Sequence, residues 1–381
     1  MLIQVGITIL MLMGFTVFVI DYGIVWVARG QAQNAADAGA LSGAVARRWD
    51  DLALPPATNG VAWTAATQAA GANLIWKQAG VAIPSWTCPT GWTGKCSRVD
   101  VFKNSENGST TLPVFFGPIL GVTTQGVKAT ATAIVATGGT VKCLKPWIVA
   151  DRWPAGQPVT SYVPPYSSAH TGYQVDTDTG LQLVLKEGEP GVMSSGWTGT
   201  LNLPDPPATP PYESNISGCN QTTVGIAAQA QTCPSVDELH GCVDVQTGVQ
   251  QGQTVHGIGD LFAADPYAYW NKTTKKIDGG CTAAGNCPTG SSPRLVAIAL
   301  FDPSVFDGSS CTGGTCVTKI VNIVGFFLEG ICADVTLDPG NDCGKFPEKA
   351  VVGRIAEYIS LSYGSPIEEA ASFLTYISLI R

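Results

Sequence analysis

Charge is what this sequence has least of. Only 13% of the 381 residues are Asp, Glu, Lys or Arg, about half the ~25% of an ordinary soluble domain. Hydrophobic residues stand at 45%, so disorder is excluded, because a disordered chain has low hydrophobicity and high charge. The net charge is -8 and no basic stripe occurs, which excludes a nucleic-acid binder. Histidine occurs three times. The sequence has no CxxC, CxxCH, GxSxG, HExxH or Walker A motif, and no GxGxxG after a strand. The sequence signals for redox dithiols, c-type haem, common hydrolases, zinc peptidases and nucleotide binding are therefore missing. His170, His240 and His256 are scattered, and each reads as a structural histidine. The chain is read as a non-enzyme.

Two further absences are local. Residues 1–20 carry no charged side chain, and no Lys or Arg precedes Arg29. Within that run only Gln4, Thr8 and Thr16 interrupt the apolar residues, and about 20 apolar residues cross a bilayer as a helix. A cleaved signal peptide would carry a basic n-region, a shorter apolar stretch and a small-residue cleavage site. The segment bounded by Leu2 and Ile20 is read as an uncleaved anchor. The missing basic flank removes the usual orientation signal.

Cysteine is absent from residues 1–87 and then appears twelve times. Cys88 and Cys96, Cys281 and Cys287, Cys311 and Cys316, and Cys332 and Cys343 lie close together around Gly, Thr, Asn and Pro, and read as loops pinned by short disulfides. Cys143 with Cys219 and Cys233 with Cys242 are the pairing taken for the remaining four. Zinc favours C-x2-4-C pairs with His, and only Cys311 and Cys316 approach that spacing. Disulfides are preferred, which places the cysteine-bearing part outside a reducing cytosol. No metal or cofactor is expected. Calcium is retained as a weak candidate on the paired Asp residues of 175–180 and 337–344, where Asx turns explain the pattern equally well.

What is present begins with helix. Residues 24–48 are small and helix-forming, and Ala35, Gly39 and Gly43 recur every four residues on one face. Such a stripe allows a second helix to approach closely. At this point residues 19–44 become recognisable. Asp21-Tyr22-Gly23, then Trp26 to Arg29, then Gln33-Asn34-Ala35-Ala36-Asp37-Ala38 resemble the N-terminal signature of TadE/TadG-like proteins of the Flp (tight-adherence) pilus system. Asp21, Gly23, Arg29, Gln33, Asn34 and Asp37 are the matching signature positions. Residues 99–135 are similar to the family's strand, Phe-Phe-x-x-x-x-Gly turn and closing strand. Segments beyond residue 141 resemble the long extension of TadG-like members. Position 5 is Val and no Glu precedes Glu106, so prepilin-type processing is not implied. A D-x-S-x-S metal motif is absent, so an adhesive metal function is not carried over.

The rest of the chain is read as follows. Pro55 and Pro56 break the helix. Residues 60–80 form a second helix with Trp63, Ala66, Ala70 and Leu74 on one face and Gly80 as its stop. Strands are expected at 98–103, 111–116 and 122–136, and then at 181–187, 294–301 and 318–331. The last two, continuous apolar runs, are expected to be central. A short helix is expected within 254–270 and a closing strand at the end. The fold class is α+β: a long transmembrane or pilin-like helix (1–49), a small pilin-like α+β module (50–140) and a larger disulfide-stapled β-rich domain (141–381). The resemblance implies a structural or assembly component of a bacterial surface pilus. Its helix would meet other pilus subunits or the membrane, it could self-assemble into a filament, and its β-rich part would face the periplasm or the exterior. The alternative is a membrane-anchored enzyme, glycan-binding domain or adhesin.

Overall fold

The computed structural model describes residues 2–49, 55–92, 94–187, 197–204, 206–246, 251–285, 287, 291–304, 315–331 and 350–380. The chain divides into two compact units, residues 1–136 with 377–381, and residues 137–376. It is a mixed α+β protein with an N-terminal helix and a β-rich part.

In the first unit α1 (Leu2–Trp49) is one uninterrupted helix of 48 residues. No proline breaks it, and Arg47 and Arg48 in its last turn suit the negative end of the helix dipole. α2 (Val61–Ala72) follows. It ends earlier than the apolar spacing suggested, because the Asn73 side chain turns back to donate to the Ala69 carbonyl at 2.9 Å. Leu74, expected on the packed face, is exposed, and Ile75 is buried instead. Gly80 is not a helix stop. A Cβ there would sit 2.9 Å from both Ile75 Cδ1 and Val101 Cγ1, so glycine lets the chain pass close to the strand that carries Val101.

Three antiparallel strands, β1 (Val81–Ser85), β2 (Lys95–Lys103) and β3 (Val127–Thr137), follow. The end of the chain's last strand, residues 377–380, lies beside β3 in this unit. The strand expected at 111–116 is absent. Leu112 makes an isolated bridge to Gln125, and the residues after it form a turn. The core of this unit is made of small side chains: Ala32, Ala35, Ala36, Ala40 and Ala44 of α1 are fully buried with Ala66 of α2 and Val99 of β2. Their size lets the backbones come together, so many short-range dispersion contacts replace a few large ones. A Cβ on Gly39 would stand 2.9 Å from the Ala66 carbonyl oxygen and 3.0 Å from Ala70 Cβ. One on Gly43 would collide with the Ser97 hydroxyl. The small-residue stripe is therefore filled by the chain's own α2 and β2.

The second unit contains β4 (Thr140–Val141), β5 (Leu144–Ala150), α3 (Val175–Asp178), β6 (Gln182–Glu187), β7 (Trp197–Leu201), α4 (Pro211–Ser217), β8 (Val224–Gly225), β9 (Cys242–Gln246), α5 (Gln251–Ala264), β10 (Tyr269–Asn271), β11 (Lys276–Asp278), β12 (Leu295–Phe301), β13 (Thr315–Ile331), β14 (Val351–Ala356), β15 (Tyr358–Ile359) and the start of β16 (Leu374–Ile380). The expected 254–270 helix is shifted, because the Gly-Ile-Gly-Asp segment lies inside α5. Six strands pair in the cyclic order β12-β5-β7-β6-β14-β13 and back to β12. β9 adds a second link between β13 and β7. A closed ring leaves its members no free edge. Both faces of β12 are packed: Ala297, Ala299 and Phe301 join one apolar cluster, and Val296, Ile298 and Leu300 another. This accounts for its uninterrupted apolar run.

Among the described residues four disulfides join Cys88–Cys96, Cys143–Cys219, Cys233–Cys242 and Cys281–Cys287. Three span 6 to 9 residues, whereas Cys143–Cys219 spans 76 and restrains the unfolded chain most. Cys316 is also disulfide-bonded. Cys311, Cys332 and Cys343, and hence the pairings expected for them, lie outside the described residues or rest on residues that do.

Replacing Gly39 and Gly43 together with Leu should unseat α1 from α2 and β2, since each overpacked site costs about 1–3 kcal/mol. Hydrogen exchange should then speed up in α2 and β2 and stay unchanged in the strand ring. Unchanged protection of α2 would refute the seam.

Candidate functional site: the exposed half of the first helix and its docking turn

α1 serves two environments. From residue 3 to residue 20 every described side chain is exposed, including Ile3, Val5, Ile7, Ile9, Met11, Leu12, Phe15, Val19 and Ile20. From Ile24 onward one face is buried against the first unit, through Ala28, Ala32 and Ala35. Among the described residues no helix is long and apolar enough to cross a membrane, so the expected transmembrane segment is not found there. Five side chains in the middle of the uncharged run, at 10, 13 and 16–18, and those at 1 and 2, which include Leu2, lie outside those described.

Asp21 sits where the free half meets the packed half. Its carboxylate accepts three backbone N–H groups from the turn after Leu112: Phe115 at 3.0 Å, Phe116 at 3.1 Å and Gly117 at 2.7 Å. Successive N–H groups converging on one anion form a nest. The Phe115 amide chiefly holds the Asp21 carboxyl below its ordinary value of 3.8; partial desolvation opposes this, and the Phe116 and Gly117 amides add to it. Gly117 is needed because a Cβ would lie 2.6 Å from the Val122 carbonyl oxygen. Gly121, at φ 81°, closes the turn with its N–H on Gly117 and Pro118. This is the Phe-Phe-x-x-x-x-Gly turn expected from the resemblance. Its role as the receptor for Asp21, 94 to 96 residues away, carried no sequence signal.

Of the other signature positions, Gln33 donates to the Asp37 carboxylate at 2.8 Å and to the Thr130 carbonyl of β3 at 3.3 Å, tying α1 to the sheet. Arg29 and Asn34 are exposed. Nothing within 4 Å would meet a side chain at Gly23, and nothing in the structure explains its glycine.

In the second unit Asp151, His240 and His256 are engaged by partners, whereas His170 Nδ1 is not. Asp151 is fully buried at the end of β5 and accepts the Tyr162 hydroxyl at 2.7 Å and the amides of Arg152 and Tyr173 at 2.8 and 3.0 Å. Burial pushes its carboxyl up to about 6, against the pull of those hydrogen bonds. His240 pairs with Asp237 at 2.8 Å and His256 with Glu213 at 3.6 Å. His170 is buried, its Nδ1 without a hydrogen-bond partner, and burial lowers its pKa against the opposing charge of Glu368. None of the three imidazole rings is paired with a Ser, Thr or Cys side chain among the described residues. The calcium candidate at 175–180 is not gathered: Asp178 is bound by Arg152 at 2.6 Å and the Gln174 amide at 2.7 Å, and Asp176 is exposed. The other candidate, 337–344, lies outside the described residues. Asp265 converges with Cys281 and Cys287, but both sulfurs are joined to each other and offer no thiolate.

Residues 5–46 match the TadE/G-like Flp pilus-assembly family model, the family that the signature residues resemble. There is no significant match to a curated protein or to a solved structure. The family match, confined to residues 5–46, supports a pilus-related role.

Asp21→Asn leaves one acceptor oxygen where three N–H groups converge, so exchange at Phe115 to Gly117 should accelerate. A carboxyl with a depressed folded pKa contributes stability above its unfolded value and loses it as pH falls. In the wild type the turn should therefore release on acidification below about 3.8, a transition that the Asn variant should lack. Asp151 has the opposite sign. Its raised folded pKa means that stability of the second unit falls as pH rises from 3.8 to about 6, by up to about 3 kcal/mol. Denaturant titrations should show that slope in the wild type and a flatter one in Asp151→Asn. Equal slopes would refute the buried-acid account.

Proposed function

We propose that this chain is a structural or assembly component of a bacterial surface pilus, held by the exposed half of α1. The observation that carries this reading is an 18-residue stretch of helix, 3–20, whose described side chains are all exposed and whose sequence holds no charge. A helix that is apolar all round is at home in lipid or among other apolar helices, and isolated in water it lacks the packing that stabilises most helices. Counted over the whole uncharged run of the sequence, residues 1–20, which includes positions outside those described, a helix would span about 30 Å, the hydrocarbon thickness of a bilayer. Inner-membrane insertion of that half, with both units on the extracytoplasmic side, also accounts for the disulfides, which persist in oxidising compartments. Docking among the apolar helices of other pilus subunits would satisfy the same segment in an assembled filament. The rival reading, an anchored enzyme or glycan-binding domain, is favoured by no specific observation among the described residues.

The test is extraction of membranes from cells expressing the full chain. The protein should stay in the carbonate-resistant fraction. Ile9→Lys with Leu12→Lys should move it to the soluble fraction, because each buried charge costs about 2.5–3.5 kcal/mol at the centre of a spanning helix. Release of the wild type by carbonate would overturn insertion.

A further inference from the structure

The exposed face of α1 changes chemistry in a fixed order along the helix. Phe15, Val19, Tyr22, Trp26 and Arg29 follow one another at spacings of three or four, which places them on a single face. All five are exposed. Tyr22 is 54% and Trp26 70% exposed, with ring centroids 6.4 Å apart. On the opposite side of the same turns Ile24 and Ala28 are buried in the unit's core. Phe115, 62% exposed, is held at this level by its own amide on Asp21. Apolar residues thus give way to two aromatic rings and then to the chain's first cationic side chain.

We infer that this face is a lipid-contacting collar: Tyr22, Trp26 and Phe115 lie in the headgroup layer of a bilayer, and Arg29 meets the lipid phosphates. The inference rests on the membrane reading of α1 and adds the depth at which the first unit rides. Three observations select lipid as the occupant. Amphipathic aromatic rings collect at the membrane–water interface, and cations beyond them pair with anionic headgroups. The rise from Tyr22 to Trp26 is about 6 Å, close to the thickness of one headgroup layer. The acid at this level, Asp21, has its oxygens turned to three backbone amides, so the first exposed charge on the face is positive, complementary to phosphate.

The experiment reconstitutes the full chain in phosphatidylethanolamine–phosphatidylglycerol vesicles, with lipids brominated near the headgroup end of the acyl chain. The fluorescence difference between wild type and Trp26→Phe isolates Trp26, and Phe115→Trp adds a second reporter. Co-flotation with loss of most of the Trp26 difference emission, and with quenching of the signal that Phe115→Trp adds, is expected. Arg29→Glu should reduce that quenching while flotation persists. Co-flotation with both reporters unquenched would overturn the collar and leave the anchor standing. Failure to float would overturn the anchor and the collar together. A photo-reactive phenylalanine at position 26 that cross-links to a second protein chain rather than to lipid would also overturn the collar.

Discussion

Three backbone N–H groups closing on one carboxylate decide where α1 changes from a free helix into part of a core. A helix carries all its backbone hydrogen bonds internally, so nothing in α1 itself marks a boundary between its two halves. The mark is supplied from outside, by the turn at Phe115 to Gly117. A neutral side chain could not satisfy three donors at once, whereas a carboxylate has about four lone-pair sites to offer. The same contact draws Phe115 to the level at which the apolar run ends. One short turn thus fixes both the register of α1 on its sheet and the position of the aromatic group nearest the exposed half.

Beyond Asp21 the seam depends on smallness. Alanine contributes little burial per residue, so its weight comes from close approach over many turns, and a single added methyl group is felt. That explains why glycine is kept at positions 39 and 43 although it costs about 1 kcal/mol of helix propensity at each. It also decides what is left for other molecules. The stripe is consumed within the chain, and the surface that α1 offers outward is the opposite face, with its aromatic rings and Arg29.

The continuity of α1, the apolar runs of β12 and β13 and the short Cys88–Cys96 and Cys281–Cys287 loops were legible in the sequence because each rests on local pattern or on spacing, whereas Cys143–Cys219, 76 residues apart, carries no local signal. The length of α2 was not, since Asn73 ends it by a side-chain bond while the apolar rhythm runs on to Leu74. Residues 111–116 read as a strand because Leu112, Val114 and Phe116 alternate. In the structure the Leu112 amide makes a single bridge to the Gln125 carbonyl and the amides of Phe115 and Phe116 serve Asp21, a partner that no periodicity announces. The return of the last strand to the first unit, and the closure of six strands into a ring, are long-range pairings of the same kind. Of the candidate site, Asp21 was visible as a signature residue, but the reason for it lay almost a hundred residues away.

The low charge now has a structural account. Open sheets commonly guard their edges with lysine or proline against pairing with other chains. The ring of the second unit has no edge among its six members, and the edge strand β1 of the first unit carries Pro84, which has no N–H to offer. Several of the charges that remain work indoors. Arg354 binds Glu329 at 2.6 Å, and Arg294 donates to the carbonyls of Ala268 and Leu328 while lying over Phe262 and Phe327. Asp151 is held by hydrogen bonds in a site that favours its neutral form. A strand ring without free edges and loops pinned by sulfur need few surface ion pairs, and exposed pairs contribute about 0–1 kcal/mol each in any case. The scarcity of charge then follows from two separate constraints. One is an apolar helix half that excludes charge, and the other is a strand ring that does not require it.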